Sequence, residues 1–336
     1  MKEAFSIVVI LGILKTVSSY CPIDQIHGLG HCSIQAQCYE TIKDITGLAP
    51  ECLGSSNYEV RVDITLRNAT DSFHIIGDEN FISLVTALTV VANWPQTALS
   101  FLHTMINLKQ LSLVKCNIQK INDTPFRNLM YLENVDLSHN SINDIEELFQ
   151  FETRPFRMRK LSLAYNCIEE VPGDTFEELA SLYELDLSYN FITELSEEPF
   201  YNLTNLRVLR LNNNRIKELN GAINNLINLR HLYLGYNDIY NIDMKSLKTI
   251  SHLQTFDISK NRIEDLKKTM LFRHWGHFNK QPYCRIVISG NHITLLPNST
   301  DIFEELSKNL KRNANHKKVE VMTDLDLSEN AISHIE

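Results

Sequence analysis

The side chains that could support catalysis are scattered along this chain of 336 residues. Among its 12 histidines, His274 and His277 lie three residues apart, but no carboxylate completes a metal-binding pattern around them. Paired acids such as Glu304 and Glu305 are typical of a solvated loop. The sequence has no GxSxG motif, no HExxH motif and no glycine-rich phosphate loop. We therefore predict that the protein is not an enzyme and holds neither a metal nor a cofactor.

The first residues have the layout of a secretory signal peptide. Lys2 precedes an apolar run from Ala4 to Leu14, and the small residues Val17 to Ser19 follow it. The run is too short to span a bilayer comfortably, and no second stretch could do so. We therefore predict a signal peptide over residues 1–19 and a secreted or extracellular mature protein.

Four of the seven cysteines lie close behind this segment, at Cys21, Cys32, Cys38 and Cys52. In a secreted chain they predict two disulfide bonds, and the sequence leaves three pairings open. A metal site formed with His27 and His31 is the alternative, which an oxidising compartment disfavours. The bonds would close the first end of the fold, where an unpaired strand would otherwise be exposed.

The rest of the sequence is organised by a repeat whose clearest copy is LYELDLSYNFITEL, residues 182–195. Leu185 and Leu187 alternate as in a short strand, and Asn190 follows at a turn. The phrase recurs with its Asn positions 23 to 39 residues apart, most often 24. These ten positions are Asn93, Cys116, Asn140, Asn166, Asn190, Asn214, Asn237, Asn261, Asn291 and Asn330.

This period is typical of leucine-rich repeats, and an apolar residue ten positions past the Asn marks their longer extracellular form. That residue is Phe126, Phe176, Phe200 or Leu247 in four of the units. The chain thus resembles extracellular leucine-rich-repeat proteins such as the chaoptin, connectin, Slit and Toll-type ectodomains. The fold class this predicts is an α/β repeat: a leucine-rich-repeat solenoid with a curved parallel β-sheet on its concave face, an irregular or helical convex side and a disulfide-bonded N-terminal cap.

The Asn side chains are expected to satisfy backbone groups that the turn leaves unpaired. Cys116 replaces one of them, and we predict a buried structural thiol there. Cys167 and Cys284 lie several repeats apart, so a bond between them is geometrically poor. Either both are simply buried or one is a reactive or intermolecular thiol.

The predicted organisation is a signal peptide over 1–19, a cysteine cap with a cap strand over 20–80, and about ten repeats over 81–336. The cap strand is VRVDITL, residues 60–66. Two insertions interrupt the repeats, at 267–283 and 298–321. In the second, Ile302, Phe303, Leu306 and Leu310 fit one helix face and a basic cluster follows. These insertions are interpreted either as a convex helix with a solvated loop or as a site for a partner or anionic glycan.

Solenoids of this kind bind through the solvent-facing residues beside their strands. Tyr and Arg, the residue types enriched at binding hot spots, occupy these positions in the middle repeats. The predicted partner site is Tyr165, Tyr183, Tyr189, Arg207, Arg210, Arg230, His231, Tyr233 and Tyr236. The alternative is an ordinary solvated face on which Arg210 pairs with Asp186 of the next strand.

Four N-glycosylation sequons lie outside the strands, at Asn68, Asn122, Asn202 and Asn298. The formal charge of −9 argues against nucleic acid as a partner. The chain stops after LDLSENAISHIE without a closing cap, a lipid-anchor signal or a membrane tether. We therefore expect either an incomplete gene product or a partner that covers this end.

The resemblance implies protein–protein recognition, in cell adhesion, guidance or innate immunity, with a protein ligand or cell-surface protein as partner. Two roles follow from it. One is an adhesion or receptor ectodomain, and the other is a secreted soluble recognition protein of innate immunity or the matrix. Homophilic and heterophilic binding both remain open at this point.

Overall fold

A computed structural model describes residues 23–28, 31–38, 59–66, 83–92, 99–121, 124–146, 148–149, 157–242, 249–250, 252–264, 283–296 and 322–335. It forms two compact units, unit 1 (residues 1–144 and 156–158) and unit 2 (residues 145–155 and 159–336). Each unit is a stack of coils, where a coil is one repeat with one strand in the main sheet. The predicted signal peptide lies outside the described residues.

Unit 1 begins with an antiparallel hairpin that the sequence pattern did not predict. Strand β1 (Ile23–Gly28) pairs with β2 (His31–Cys38). Four parallel strands follow, namely β3 (Glu59–Leu66), β4 (Val85–Ala92), β5 (Gln110–Val114) and β6 (Asn134–Asp136). Strand β3 contains the predicted cap strand and pairs with the first repeat strand, as expected. A 3-10 helix (Ser100–Thr104) connects β4 to β5 and is the only helix within the described ranges.

The hairpin narrows the choice of disulfide pairings. Cys32 and Cys38 lie six residues apart in one strand, a separation of about 20 Å along an extended chain. A disulfide bond joins Cα atoms no more than about 7 Å apart. Cys32 therefore does not pair with Cys38, and two of the three pairings remain. Cys21 and Cys52 lie outside the described residues.

Unit 2 is built around a parallel sheet whose strands follow chain order. They are β7 (Lys160–Ser162), β9 (Glu184–Asp186), β11 (Val208–Arg210), β12 (His231–Tyr233), β13 (Thr255–Asp257), β14 (Tyr283–Val287) and β16 (Met322–Asp326). Two separate parallel pairs lie elsewhere on the coils, β8 (Glu170–Val171) with β10 (Glu194–Leu195) and β15 (Leu295–Leu296) with β17 (His334–Ile335). Strand β14 begins at Tyr283, the last residue of the first predicted insertion.

The core of unit 2 consists of aligned apolar side chains. In the short strands only the middle residue is buried, and Leu185 pairs with Leu209 in register. The predicted ring residues Phe176 and Phe200 are fully buried, with ring centroids 6.0 Å apart. Because the strand pattern places alternate residues on opposite faces, the residues that flank each buried leucine lie on the solvent face of the sheet.

Buried asparagines join successive coils, as the repeat predicts. The amide of Asn190 donates to the carbonyls of Leu163 (3.0 Å), Leu187 (3.1 Å) and Ser188 (3.2 Å), and its Oδ1 accepts from the N–H of Ile168 (3.1 Å). Equivalent bonds are made by Asn214, Asn237, Asn261 and Asn291. This Asn ladder fixes each coil to the one before it.

Cys116 is a buried thiol at an Asn position of unit 1, as predicted. Its Sγ donates weakly to the Val90 carbonyl at 3.3 Å, and its N–H donates to Asn140 Oδ1 at 2.9 Å. Cys167 is a half-buried free thiol. Five strand spacings, about 24 Å, separate its coil from that of Cys284, which rules out a bond between them.

Several predicted features cannot be placed. The ladder position Asn93 and the ring residue Leu247 lie outside the described residues. So do residues 267–282 of the first insertion and all of the second insertion, 298–321, with the helix expected over 302–310. So do three of the four sequons, at Asn68, Asn122 and Asn298. Asn202 lies in a half-buried turn, where its amide donates to the Glu177 carbonyl at 3.1 Å. Among the helices that the structure describes, none is long and apolar enough to cross a membrane.

Candidate binding surface on the sheet of unit 2

Aromatic and basic side chains meet on the solvent face of β9, β11 and β12. We call Tyr183, Arg207, Arg210, Arg230, His231 and Tyr233 the sheet-face cluster. Arg210 and Tyr233 are register partners at the ends of their strands. Tyr183, Arg207 and Arg230 form a row just before the strands, because the N–H of Arg207 donates to the Tyr183 carbonyl (2.8 Å) and that of Arg230 to the Arg207 carbonyl (2.9 Å). The sheet therefore fixes the spacing of all six residues.

Stacking orders the side chains of the cluster. The guanidinium carbon of Arg207 lies 5.1 Å from the ring centroid of Tyr183, and that of Arg210 lies 5.6 Å from the ring centroid of Tyr233. The His231 ring lies nearly parallel to Tyr233, with centroids 6.5 Å apart. Such cation–π contacts contribute about 0.5–1 kcal/mol each at exposed sites. They hold both arginines in place on the sheet.

Arg210 does not pair with Asp186, and that expectation was wrong. Its guanidinium bonds Glu184, which also accepts an ion pair from Lys160 at 3.4 Å. Burial alone would raise the pKa of Glu184, but its hydrogen bond to Arg210 and the two neighbouring positive charges lower that pKa below its ordinary value. Glu184 thus remains charged and neutralises part of the positive charge of the face.

Asp186 is occupied by its own chain and is not a free surface acid. Its Oδ1 accepts from the N–H of Ser188 (2.9 Å) and from the Ser188 hydroxyl (2.6 Å). The same backbone cap, an Asp two residues before a Ser, occurs at Asp136, Asp257 and Asp326. The hydrogen bonds from Ser328 lower the pKa of Asp326. The Asp residues that end these strands therefore serve the turn that follows each strand.

Strands β11 and β12 lack this Asp-x-Ser cap. Arg210 and Asn212 replace the pair in one coil, and Tyr233 and Gly235 replace it in the next. A Cβ on Gly235 would lie only 2.9 Å from the hydroxyl oxygen of Ser259, so the neighbouring capped coil leaves no room for a side chain. Strands β7 and β14 also lack the cap, with Ser162 and Val287 in place of the Asp. The cluster therefore lies where two adjacent uncapped coils carry a large side chain, Arg or Tyr, at the Asp position.

Three of the predicted site residues do not lie on the sheet face. Tyr165, Tyr189 and Tyr236 each precede a ladder Asn and have left-handed backbones, with φ of 56°, 55° and 58°. The same position is left-handed in the other coils, at Lys115, His139, Asn213, Lys260, Gly290 and Glu329. This row lies at the turn beyond the strands, where the rings of Tyr165 and Tyr189 stack with centroids 4.1 Å apart. These tyrosines therefore lie at the turns that carry the ladder Asn and not within the strands, and their role in partner binding stays a prediction.

Arg159 belongs to the same row as Tyr183, although the sequence analysis did not select it. The Tyr183 N–H donates to the Arg159 carbonyl at 2.8 Å, and Arg159 is exposed. Its position in the repeat, one residue past the first apolar one, is the signal that would have found it. Among the described residues, no carboxylate forms an ion pair with Arg159, Arg207 or Arg230. The row thus carries three positive charges without a salt-bridge partner in that part of the chain.

His231 is the titratable group at the centre of the cluster. Its Nδ1 lies 3.1 Å from the hydroxyl oxygen of Thr255 on the next strand. Burial, together with the charges of Arg210 and Arg230, lowers the pKa of His231. No group of three or more His, Cys, Asp or Glu side chains suited to a metal ion occurs among the residues that the structure describes. The arrangement is therefore suited to recognition by stacking and charge.

Comparisons with known proteins agree with this architecture. Residues 106–152, 156–216 and 180–239 match a family model described as leucine rich repeat. The volume-regulated anion channel subunit LRRC8A of Rattus norvegicus and Mus musculus is 35% identical over 74 residues, which are 22% of this chain and 9% of each subunit. The matched stretch is thus a small part of those relatives.

Solved structures share the fold along most of the chain. An internalin of Listeria monocytogenes matches with a TM-score of 0.51 at 20% identity, covering 91% of this chain and 82% of its own. A leucine-rich-repeat protein of Leptospira interrogans gives 0.51 at 18% identity, covering 83% and 74%. The TLR13–ssRNA13 complex gives 0.55 at 19% identity, covering 81% and 43%. The fold is therefore a leucine-rich-repeat solenoid, an architecture that generally serves as a scaffold for protein–protein interaction.

Proposed function

We propose that this protein is an extracellular protein-binding module that recognises its partner through the sheet-face cluster, as an adhesion or receptor ectodomain. The observation that carries the proposal is the departure of β11 and β12 from the repeat. Strands β6, β9, β13 and β16 present a capping Asp at this position and β7 and β14 present Ser162 and Val287, whereas β11 and β12 present Arg210 and Tyr233. Neither residue is required by the turn, and both belong to types enriched at binding hot spots.

The extracellular part of the proposal rests on sequence features. They are the signal-peptide layout of residues 1–19, the four early cysteines and the sequons, of which Asn202 lies at a turn away from the strands. Expression of the full chain in cultured animal cells tests it directly. The protein should appear in the medium or at the cell surface, and its apparent mass should fall after glycosidase treatment. Retention of unglycosylated protein in the cytosol would contradict it.

The binding surface is tested with the double variant Tyr183→Ala/Tyr233→Ala. Purified full chain is made into fluorescent tetramers and applied to cultured cells and to plates coated with matrix proteins. Each hot-spot truncation costs about 2 kcal/mol or more, so the double variant should bind at least about tenfold less. The matched control is Tyr131→Ala/Tyr201→Ala, which removes exposed tyrosines from turns outside the sheet and should bind normally. A folded double variant that binds like the wild type would overturn the assignment of this surface.

A further inference from the structure

In the coils of β7 and β9, the charged residues are separated onto different sides of the coil. Between Lys160 and Arg207 the sequence contains ten Asp and Glu residues and no Lys or Arg. Two of the ten, Glu184 and Asp186, lie on the main sheet, where they bond Arg210 and Ser188. The exposed acids away from the main sheet form what we call the acidic flank. They are Glu169, Glu170, Asp174, Glu177, Glu194 and Glu197.

The acidic flank is held in place by the small sheet of β8 and β10. This pair places Glu170 beside Glu194 in register, and the Thr193 N–H donates to the Glu169 carbonyl at 3.1 Å. Like charges directly opposite one another on parallel strands repel. In the described part of the chain, no cationic side chain forms an ion pair with Glu169, Glu170 or Glu194. A positively charged surface that approached this flank would relieve the repulsion.

The opposite sign occurs on the face of the main sheet. Arg159, Arg207 and Arg230 lie there in one row with Tyr183. The order is Arg159, Tyr183, Arg207 and Arg230, and each residue lies one coil from the next. One molecule cannot bring its own row and flank together. Buried residues of the same coils, such as Leu185 from β9 and Leu195 from β10, lie between the two sheets.

We infer that the sheet-face cluster docks on the acidic flank of a second copy of this chain. The inference rests on the proposed function and specifies its partner. The row contains three arginines without a described carboxylate partner, of which Arg159 is exposed and Arg207 and Arg230 are half-buried. The formal charge of the chain is −9, so the chain itself supplies the complementary charge. The contact joins two different surfaces. It therefore leaves one surface of each kind free and allows chains of molecules to grow with concentration.

Charge-reversed variants of the full chain test this docking. Variant A carries Arg207→Glu and Arg230→Glu, and variant B carries Glu170→Lys and Glu194→Lys. Self-association is measured by sedimentation velocity over a range of protein concentrations at low ionic strength, where charge attraction is least screened. Wild type should associate, and higher salt should weaken the association. Variants A and B should each associate at least about tenfold more weakly when alone, as expected for loss of close charge pairs.

The mixture of A and B is the decisive measurement. The reversed face of A should meet the reversed flank of B, and their unchanged surfaces should also meet, so the mixture should recover association. The control Lys115→Glu/Arg127→Glu makes the same change in net charge as variant A, but outside unit 2, and should associate like wild type. Circular dichroism melting checks that every variant is folded.

Two outcomes would overturn the inference. One is a wild type that stays monomeric at low salt, and the other is an A and B mixture that does not recover association. Neither outcome decides the proposed function. If the Tyr183→Ala/Tyr233→Ala variant still loses binding to cells in that case, the sheet face binds a different molecule and only the identity of the partner is wrong.

Discussion

Strands β9 and β12 have the same buried side and different exposed sides. Both place a leucine in the core, and both are followed by a ladder asparagine with the same set of hydrogen bonds. On the solvent side, β9 ends in the Asp186–Ser188 cap, whereas β12 ends in Tyr233 and Gly235. The fold therefore constrains the residue types at the buried positions of the repeat and allows the exposed positions to vary. A departure on the exposed side, with the buried side intact, is where function is expected.

The largest expected effect tests whether the buried sides are equivalent. Asn190→Ala and Asn237→Ala each remove buried hydrogen bonds from one of these two coils. A buried polar group left unpaired costs about 1–3 kcal/mol, so each variant should lose at least about 2 kcal/mol of unfolding free energy. The two losses should agree closely. The measurement is urea unfolding of the full chain followed by circular dichroism.

The control for this pair is Asn228→Ala. It removes a single exposed bond, from the Asn228 amide to the Thr204 carbonyl at 2.8 Å, and should change stability by less than about 1 kcal/mol. A loss for Asn237→Ala that resembled this control would show that the β12 coil does not depend on the ladder. The two strands would then differ on their buried sides as well as on their exposed sides.

The next effect tests whether the exposed sides differ. Asp186→Ala removes the acceptor for the Ser188 N–H and hydroxyl, so we expect a loss of about 1 kcal/mol of unfolding free energy. Tyr233→Ala removes no bond to the backbone and should change stability less than Asp186→Ala does. The order should reverse in the tetramer binding assay, where Tyr233→Ala is the damaging change. Equal effects in both assays would contradict the separation of stability from binding.

The smallest effect concerns the histidine of the cluster. The pKa of His231 is lowered in the folded protein by burial and by Arg210 and Arg230. The unfolded chain therefore takes up this proton first, and stability should fall as the pH drops below about 6.5 and level off below the folded pKa. His231→Gln should lack that part of the pH dependence. Parallel unfolding curves at several pH values measure it, and an unchanged slope in the variant would assign the effect to another group.

The sequence predicted the repeat class, the Asn ladder and the buried thiol of Cys116, because each depends on apolar or amide groups at fixed spacing. Among the predicted site residues, Arg210, His231 and Tyr233 lie in strands and Tyr183, Arg207 and Arg230 directly before them, and their role in binding stays a prediction. The antiparallel hairpin of β1 and β2 has no repeat to reveal it. Counting positions in the repeat also assigned Tyr165, Tyr189 and Tyr236 to the sheet, because such a count does not show the left-handed backbone directly before each Asn.

The sequence also did not predict which side chains form ion pairs. Register alone suggests that Arg210 meets Asp186, its direct partner across the sheet. The carboxylate of Asp186 is already taken by the Ser188 backbone, so the guanidinium reaches Glu184 instead. A nearby backbone N–H and a more distant cation compete for the same carboxylate. The sequence pattern does not show which of these two donors binds it.

The Asn ladder also determines where this protein can lengthen. Both ends of each bond between coils lie within a few residues of an Asn, as in the bond from the Ile293 N–H to Asn330 Oδ1 at 3.3 Å. Asn291 and Asn330 are 39 residues apart and Asn261 and Asn291 only 30. The bond nevertheless matches the one from the Ile263 N–H to Asn291 Oδ1 at 3.0 Å. The number of residues between two successive ladder Asn residues therefore has almost no effect on how the coils stack. New segments can enter after each turn without disturbing the joint, whereas a single residue added between strand and Asn would break it.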